Sequence, residues 1–406
     1  MPSLTCEHFG TCGGCTLLNL SYNEQVQKKR AKLQEILKDF WTQDIPVTVT
    51  DHPVYFRNKV ELGFCHQVKW REDYDKKDPA NKTRPLEFEQ TLGFKLKGRW
   101  DRAVDLQACW LFSDQLVPLV AAIRAWAAKE NLPYYDQRKH TGILRHLMVR
   151  EGKNTGEQIV VLFVTDDFNE KTFVQAVESV FPNANIMAAV NNGLADTAEP
   201  ESLRVLKGKD HIFEKILLSG PDGKTEREVV FKLSPQSFFQ TNTKTAQKMY
   251  SRVRSVVKQI APKKIYDLYG GAGSFSLSCA DLCEKSICVE SVAPAIYNGI
   301  ENAKLNNVEN VQFFCARVED FVRQQPIERK EALIILDPPR GGMHPRACKA
   351  VAQSGVENVL YISCNPVTLA TDLKTLTQHY EILHVEAFDF FPHSEHIETF
   401  VQLKLK

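Results

Sequence analysis

The chain has 406 residues, 43% of them hydrophobic and 25% charged, with a formal net charge of +1 at pH 7. That length allows two or three domains, and the balance is that of a globular protein, neither disordered nor fibrous. No apolar run approaches the ~18 residues that cross a bilayer, and residues 1–10 lack a basic-then-apolar signal, so a cytoplasmic protein without membrane partners is expected.

An odd count of 11 cysteines with no secretion signal argues against a disulfide framework. Cys6, Cys12 and Cys15 fall in a loop-like stretch with Gly13 and Gly14. Ser21 and Glu24 form a capping-box pattern. It predicts a helix to about Phe40, with Val26, Leu33, Ile36 and Leu37 on one face. From Pro53 to Cys109 the sequence reads as short strands, VELGF and TLGFKL being the clearest. The charged stretch Lys69 to Arg84 between them reads as an exposed loop. Leu116 to Lys129 predicts a helix, Ile143 to Arg150 and Gln158 to Val164 predict strands, and PDGKTER reads as a hairpin or loop.

Near residue 246 the pattern changes. A helix over about 246–259 precedes apolar strands at Lys264–Tyr269, Ser286–Val289, Val311–Phe314, Ala332–Leu336, Val359–Ser363, Tyr380–Phe388 and Phe400–Leu405, most of them separated by helical stretches. This alternation predicts an α/β fold: a parallel, helix-flanked sheet with an antiparallel end. The expected division is a small N-terminal region (1–50), an α+β central domain (51–245) and a C-terminal catalytic domain (246–406). The first 260 residues are mildly basic and the remainder mildly acidic, which suits a partner on one side and chemistry on the other.

The chemistry-bearing residues end the predicted strands. IYDLYGGAGSF runs from a strand into a glycine turn at Gly270, Gly271 and Gly273, where a ligand can approach the backbone. The next strand ends in Glu290, whose carboxylate can accept both hydroxyls of a ribose. Another ends in Asp337 within LDPPR, and YISCNP places Cys364 at the same sheet edge. A lone cysteine at a strand end is commonly a small buried apolar residue, but the Asn365-Pro366 turn favours an exposed thiol. The segment FDFFPHSEHIETF supplies His393, Glu395, His396 and Glu398 as candidate bases; its His-x-x-His pair lacks a third ligand nearby for zinc.

Taken together, SPQSFFQTN, DLYGGAGSF, LDPPRGG, SCNP and FPHSEHIE, in that order, resemble the RNA uracil-C5 methyltransferase family over nearly the whole chain. The resemblance implies a class I (Rossmann-like) sheet binding S-adenosylmethionine through Gln240, Tyr269, Ser274, Glu290 and Asp337. It also implies Cys364 as nucleophile, Glu398 as base and Arg340 beside the target base. A salt bridge is the competing role for Arg340. Cys6, Cys12, Cys15 and the distant Cys109 resemble the [4Fe-4S] ligand set of the 23S ribosomal RNA branch, with zinc as the rival. No barrel module precedes the cysteines, which also resembles that branch. The expected product is therefore 5-methyluridine in 23S ribosomal RNA, made by a monomer. A tRNA uridine methyltransferase and a non-catalytic RNA-binding assembly factor are the alternatives. Arg57, Lys59, Lys95, Lys97, Arg99 and Arg102, with Phe56, Phe94 and Trp100, are the candidates for phosphate contact and base stacking.

Overall fold

The computed structural model describes residues 4–69, 87–220 and 222–406. Its largest sheet has eight strands in the order β1 (Val47–Thr48), β15 (Tyr380–Phe388), β16 (Glu398–Leu405), β14 (Asn358–Ser363), β13 (Ala332–Leu336), β10 (Lys264–Leu268), β11 (Lys285–Glu290) and β12 (Val311–Cys315). Strands β10 to β14 pair in parallel. β16 inserts antiparallel between β14 and β15. The sheet is the parallel, helix-flanked sheet with an antiparallel end that the alternation predicts. Side chains of β13 alternate between two cores, Leu333 and Ile335 on one face and Ala332, Ile334 and Leu336 on the other. Burial on both faces is why these strands read as continuous apolar runs.

A second, mixed sheet runs β3 (Phe88–Gly93), β2 (Lys59–Val68), β4 (Leu144–Glu151), β5 (Gln158–Val164), β6 (Asn185–Val190), β7 (Ser202–Lys207). The helix Leu116–Lys129 packs on one face of it. The other face, through Met148, Val161 and Phe163, shares a core with the hairpin β8 (Ile212–Ser219)–β9 (Thr225–Leu233), the helix Thr243–Ile260 and the large sheet. That helix begins earlier than its apolar period suggests, because the buried Asn242 side chain caps it by accepting from Thr245 N at 3.1 Å. Of the PDGKTER segment, residues 222–227 lie in the turn and the start of β9 in the β8–β9 hairpin, and Pro221 lies outside the described residues. The exposed loop expected from Lys69 to Arg84 lies, beyond Lys69, outside the described residues.

The helix Tyr22–Leu37 opens on the expected capping box, with Ser21 N donating to Glu24 Oε2 at 2.8 Å and Glu24 N to Ser21 Oγ at 3.4 Å. Its Leu33 and Leu37 enter the core of the large sheet together with Ile45. β1 then adds to that sheet in parallel with β15. The helix is fastened by one buried ion pair: Lys29 Nζ lies 2.6 Å from Asp389 Oδ1, with side chains 1% and 0% exposed. Lys29 also donates to Phe391 O at 2.9 Å. Burial pushes the Lys29 ammonium down from its ordinary range, and Asp389 opposes that shift.

Breaking such a pair costs more than the pair contributes, because it strands a buried charge. Lys29→Met is expected to cost about 3–5 kcal/mol, read as a lower midpoint of urea unfolding. Adding Asp389→Leu should recover much of the loss. A Lys29→Met midpoint equal to wild type would remove the pair as the fastening point.

Candidate active site at the carboxyl edge of the large sheet

In open α/β sheets ligands bind outside the carboxyl ends of the strands, where the strand order reverses. Here the chain passes from β10 outward through β11 to β12, then returns to the other side of β10 as β13. The turn after β10 is built for close approach. Gly271 has φ 56 and Gly273 φ 75, and a Cβ on Gly270 would fall 2.5 Å from Cys288 Sγ. Tyr269, a non-glycine residue, takes φ 66 there, a strained conformation held by its surroundings. Asp267 pins the far side of the turn, its carboxylate accepting from Ser276 N at 3.0 Å and Ser276 Oγ at 2.7 Å. At the end of β11, Glu290 accepts from Gly271 N at 3.2 Å and from Val292 N at 2.9 Å.

Cys364 and Glu398 meet through strand register. Ser363 and Thr399 are partners in the β14–β16 ladder. The next residue of β14's chain is Cys364, and the residue before Thr399 is Glu398, so the antiparallel pairing sets thiol and carboxyl at one edge. β16 starts two residues before the strand expected from Phe400, and that extension is what brings Glu398 into the sheet. Cys364 is half-buried. Asn365 then caps the following helix through Val367 N at 3.2 Å, and its Nδ2 donates to Arg340 O at 2.9 Å. The Arg340 side chain is exposed and, among the described residues, makes no carboxylate pair; its Nη2 lies 3.3 Å from His396 Nδ1.

The electrostatics of this edge are unusual. Burial is the main cause in each case. It raises Asp267 to about 6, with Glu290 adding. It raises Asp337 to about 7, with Asp267 adding. It raises Glu398 to about 8, with Asp337 adding and Arg340 opposing. The Cys364 thiol is pushed up to about 11 by burial, then by Glu398 and Asp337, against Arg340. Carboxyls crowded in a low dielectric favour a cationic ligand, which would return them to their charged forms. A sulfonium such as that of S-adenosylmethionine fits that demand.

The other residues of the C-terminal motif take structural posts. His393 is buried, receives Gln25 Nε2 at Nδ1 (3.2 Å) and lies 2.8 Å from Pro53 O through Nε2. Burial lowers its pKa, so it stays neutral. Glu395 faces outward to Lys32 at 2.9 Å and Lys28 at 3.5 Å. Gln240 is half-buried, and its carbonyl accepts from Asn58 Nδ2 at 2.8 Å. Ser274 hydrogen-bonds the hydroxyl of Tyr250, a fully buried residue of the helix Thr243–Ile260 that also senses Asp337 and Glu398. Tyr250 carries no motif signal as a site residue, because an amphipathic helix conceals it, whereas Asp267 opens the DLYGGAGSF motif without being singled out there.

Cys6, Cys12, Cys15 and Cys109 line one mostly apolar cavity. Among the described residues no three His, Cys, Asp or Glu groups gather into a metal-ion site. A four-iron cube, however, holds its thiolates farther apart than a single ion does. Backbone amides already serve two sulfurs, Gly14 N to Cys12 and Leu111 N to Cys109, each at 3.4 Å. The expected basic face is redrawn here. Arg57 is largely buried, its Nε has no partner among the described residues, and the groups that favour its charge are the Cys15 and Cys109 sulfurs. Phe56, 6% exposed, is a core residue and offers no stacking platform. Lys59 pairs with Glu61 at 2.7 Å, Lys95 with Asp196 at 2.8 Å and Arg99 with Asp101 at 2.9 Å. Lys97 and Trp100 remain exposed, Trp100 by 59%. No described helix is long and apolar enough to cross a membrane.

A family model described as tRNA (Uracil-5-)-methyltransferase matches residues 204–406. The chain is 32% identical over 414 residues to an uncharacterized RNA methyltransferase of Clostridium tetani, covering 99% of this chain and 84% of that one. It is 30% identical over 402 residues to the tRNA (uracil(54)-C(5))-methyltransferase of Pyrococcus furiosus, covering 98% and 84%. The crystal structure of the Pyrococcus abyssi tRNA (uracil-54, C5)-methyltransferase with S-adenosyl-L-homocysteine superposes with a TM-score of 0.76 at 26% identity, over 97% of this chain and 86% of that one.

Carboxyls that stay protonated in the fold but ionise in the unfolded chain make stability fall as pH rises between the two pKa values. With ordinary values near ~4, the ligand-free protein is expected to lose melting temperature from pH 5 to pH 8. Stabilisation by S-adenosylmethionine should grow over the same window, and Asp337→Asn should flatten both trends. Melting curves at stepped pH check this; a ligand-free melting temperature that rises with pH would contradict the raised carboxyls.

Proposed function

The chain belongs to the RNA uracil-C5 methyltransferase family, and from that premise we propose that Cys364 is its nucleophile and Glu398 its base. It is a SAM-dependent RNA uracil-C5 methyltransferase; the observation that carries the residue roles is the register that sets Cys364 and Glu398 at one edge. Uracil C5 is too poor a nucleophile to be alkylated directly. Cys364 adds to C6 as the thiolate, which turns C5 into an enolate carbon. Arg340 donates to the developing oxyanion. The bound S-adenosylmethionine supplies the electrophilic methyl that C5 takes. Glu398 removes the C5 proton, and its raised pKa makes it a stronger base than an ordinary carboxylate. The C6–S bond then breaks and returns the thiolate. A cation beside Cys364 lowers the cost of forming that thiolate, so nucleophile and methyl donor are activated together.

Glu290 holds the ribose, and Gln240, Tyr269, Ser274 and Asp337 complete the cofactor site in this reading. Residues 246–406 then carry the chemistry, residues 51–245 hold RNA, and residues 1–50 with Cys109 carry a [4Fe-4S] cluster on Cys6, Cys12, Cys15 and Cys109. The near-buried Arg57 supports the cluster: without an anionic group on those sulfurs its guanidinium has no counter-charge. The group supplies a rigid, negatively charged crosslink between residues 6–15 and 109. The RNA proposed from the cysteine set is 23S ribosomal RNA. The second reading, transfer RNA, is favoured by two relatives that act on uracil-54 of tRNA by name.

Cys364→Ala should abolish methyl transfer and leave cofactor binding intact, while Glu398→Gln should trap a protein–RNA adduct on denaturing gels. Full methylation by Cys364→Ala would remove the mechanism. Mass-spectrometric mapping of 5-methyluridine in ribosomal and transfer RNA from cells lacking the protein separates the two substrates. Anaerobically purified protein should be brown, and Cys12→Ala colourless; zinc in place of iron by metal analysis would overturn the cluster.

A further inference from the structure

A cavity of about 390 Å³ opens on the second sheet, and none of the residues assigned to the catalytic edge lines it; its walls include Glu61 and Gly63 of β2, Lys95, His146 of β4, Asp196 and Gln236. We propose that this cavity binds an unstacked guanine base of the RNA substrate, a site distinct from the one that takes the target uridine. The proposal rests on the RNA-methyltransferase reading above and adds a second base contact to it.

The cavity is held open by a rigid frame. Arg145, fully buried, donates through Nη1 to Asn191 O at 3.0 Å and Asn191 Oδ1 at 2.7 Å, and through Nη2 to Ala195 O at 2.9 Å. These bonds shape the 191–196 loop that presents Asp196. Asp196 is itself fixed, with Gln137 Nε2 on Oδ1 at 2.7 Å and Lys95 Nζ on Oδ2 at 2.8 Å. Arg150 anchors the opposite segment by donating to Ser234 O at 2.9 Å, and Gln236 Nε2 closes onto Ala198 O at 3.0 Å. At Gly63 a Cβ would stand 3.1 Å from Lys95 Cε, so the missing side chain leaves the lysine its room.

One polar group in this wall is unfinished. His146 is 5% exposed, and among the described residues its Nε2 has no hydrogen-bond partner; Asp196 Oδ1 is 3.7 Å away. A buried, unpaired imidazole nitrogen costs free energy until something fills it. Lys95 likewise has three donors, of which Asp196 and Cys65 Sγ (3.5 Å) occupy two. Glu61 pairs with Lys59 at one oxygen and keeps a half-exposed carboxylate.

The lining therefore offers carboxylate acceptors beside an ammonium donor. Guanine matches it: its Watson–Crick edge carries two adjacent N–H donors and then a carbonyl. Adenine has no carbonyl for Lys95. Uracil has one N–H between two carbonyls, which would set a carbonyl against a carboxylate. Cytosine has an amine but puts an acceptor next to it. Phe238, two residues from Gln236 in the chain, is 72% exposed, which suits stacking of a neighbouring base on a single strand.

The test uses the full-length protein and fluorescent RNA pentamers UUGUU, UUAUU, UUCUU and UUUUU, with inosine replacing guanosine in a fifth. UUGUU should bind roughly tenfold more tightly than the other three standard pentamers, and inosine, which lacks the exocyclic amine, should fall between. Glu61→Gln, at a half-exposed position that leaves the frame intact, should erase the preference while keeping UUUUU binding, cofactor binding and the melting temperature. Asp196→Asn, at a position held by Gln137 and Lys95, should likewise erase the preference while cofactor binding is kept. Equal affinity for all pentamers, no measurable binding, or a Glu61→Gln protein that still prefers UUGUU would overturn the guanine site. Retained methyl transfer by Glu61→Gln in any of those cases keeps the catalytic reading separate from this one.

Discussion

The antiparallel insertion of β16 between β14 and β15 is the constraint on which the site depends. Strand faces alternate with a period of two, so a slip of one residue would turn Glu398 to the opposite face and separate it from Cys364. The register is locked by burial. Phe400 points into one core, Val401 and Leu403 into the other, all fully buried. A slip would exchange those faces and fill two well-packed cores with the wrong shapes. The proposed catalytic pair is thus positioned by hydrophobic packing several residues away from it.

The same edge stores electrostatic tension. Burial raises Asp267, Asp337 and Glu398 alike, and each is pushed further by a neighbouring carboxyl: Glu290 acts on Asp267, Asp267 on Asp337 and Asp337 on Glu398. Evolution of a stable fold alone would disperse such groups, because buried like charges oppose folding. Their concentration, together with the positive φ of Tyr269, marks the place where stability is traded for binding a cation and moving a proton.

Much of this was legible in the sequence because the strands of the parallel sheet are buried on both faces and end in chemistry-bearing residues. DLYGG, ICVE, LDPPR and SCNP each read as an apolar run followed by a turn. What escaped the sequence depends on long-range burial. Nothing local distinguishes Arg57, which is drawn in beside the cysteine sulfurs, from Lys97, which stays outside. Phe56 and Trp100 look alike as stacking candidates, yet one is core and the other surface. His393 looked like a base until its two nitrogens were seen to be occupied by Gln25 and Pro53. β1, only two residues long, has no period to detect.

The pairing of Lys29 with Asp389, 360 positions apart, has a consequence for biosynthesis. A ribosome extends the chain from its N-terminus at about 5–20 residues per second, so the first helix emerges long before the carboxylate that will neutralise its lysine. The set Cys6, Cys12, Cys15 and Cys109 is by contrast complete when barely a quarter of the polypeptide has been made. Gathering of these four thiols and closure of the catalytic edge are therefore separate in time. The thiols emerge early, whereas β16, which carries Glu398, follows the other strands of its sheet. A nascent chain that has not reached β16 presents the Cys364 edge without the Glu398 carboxyl beside it.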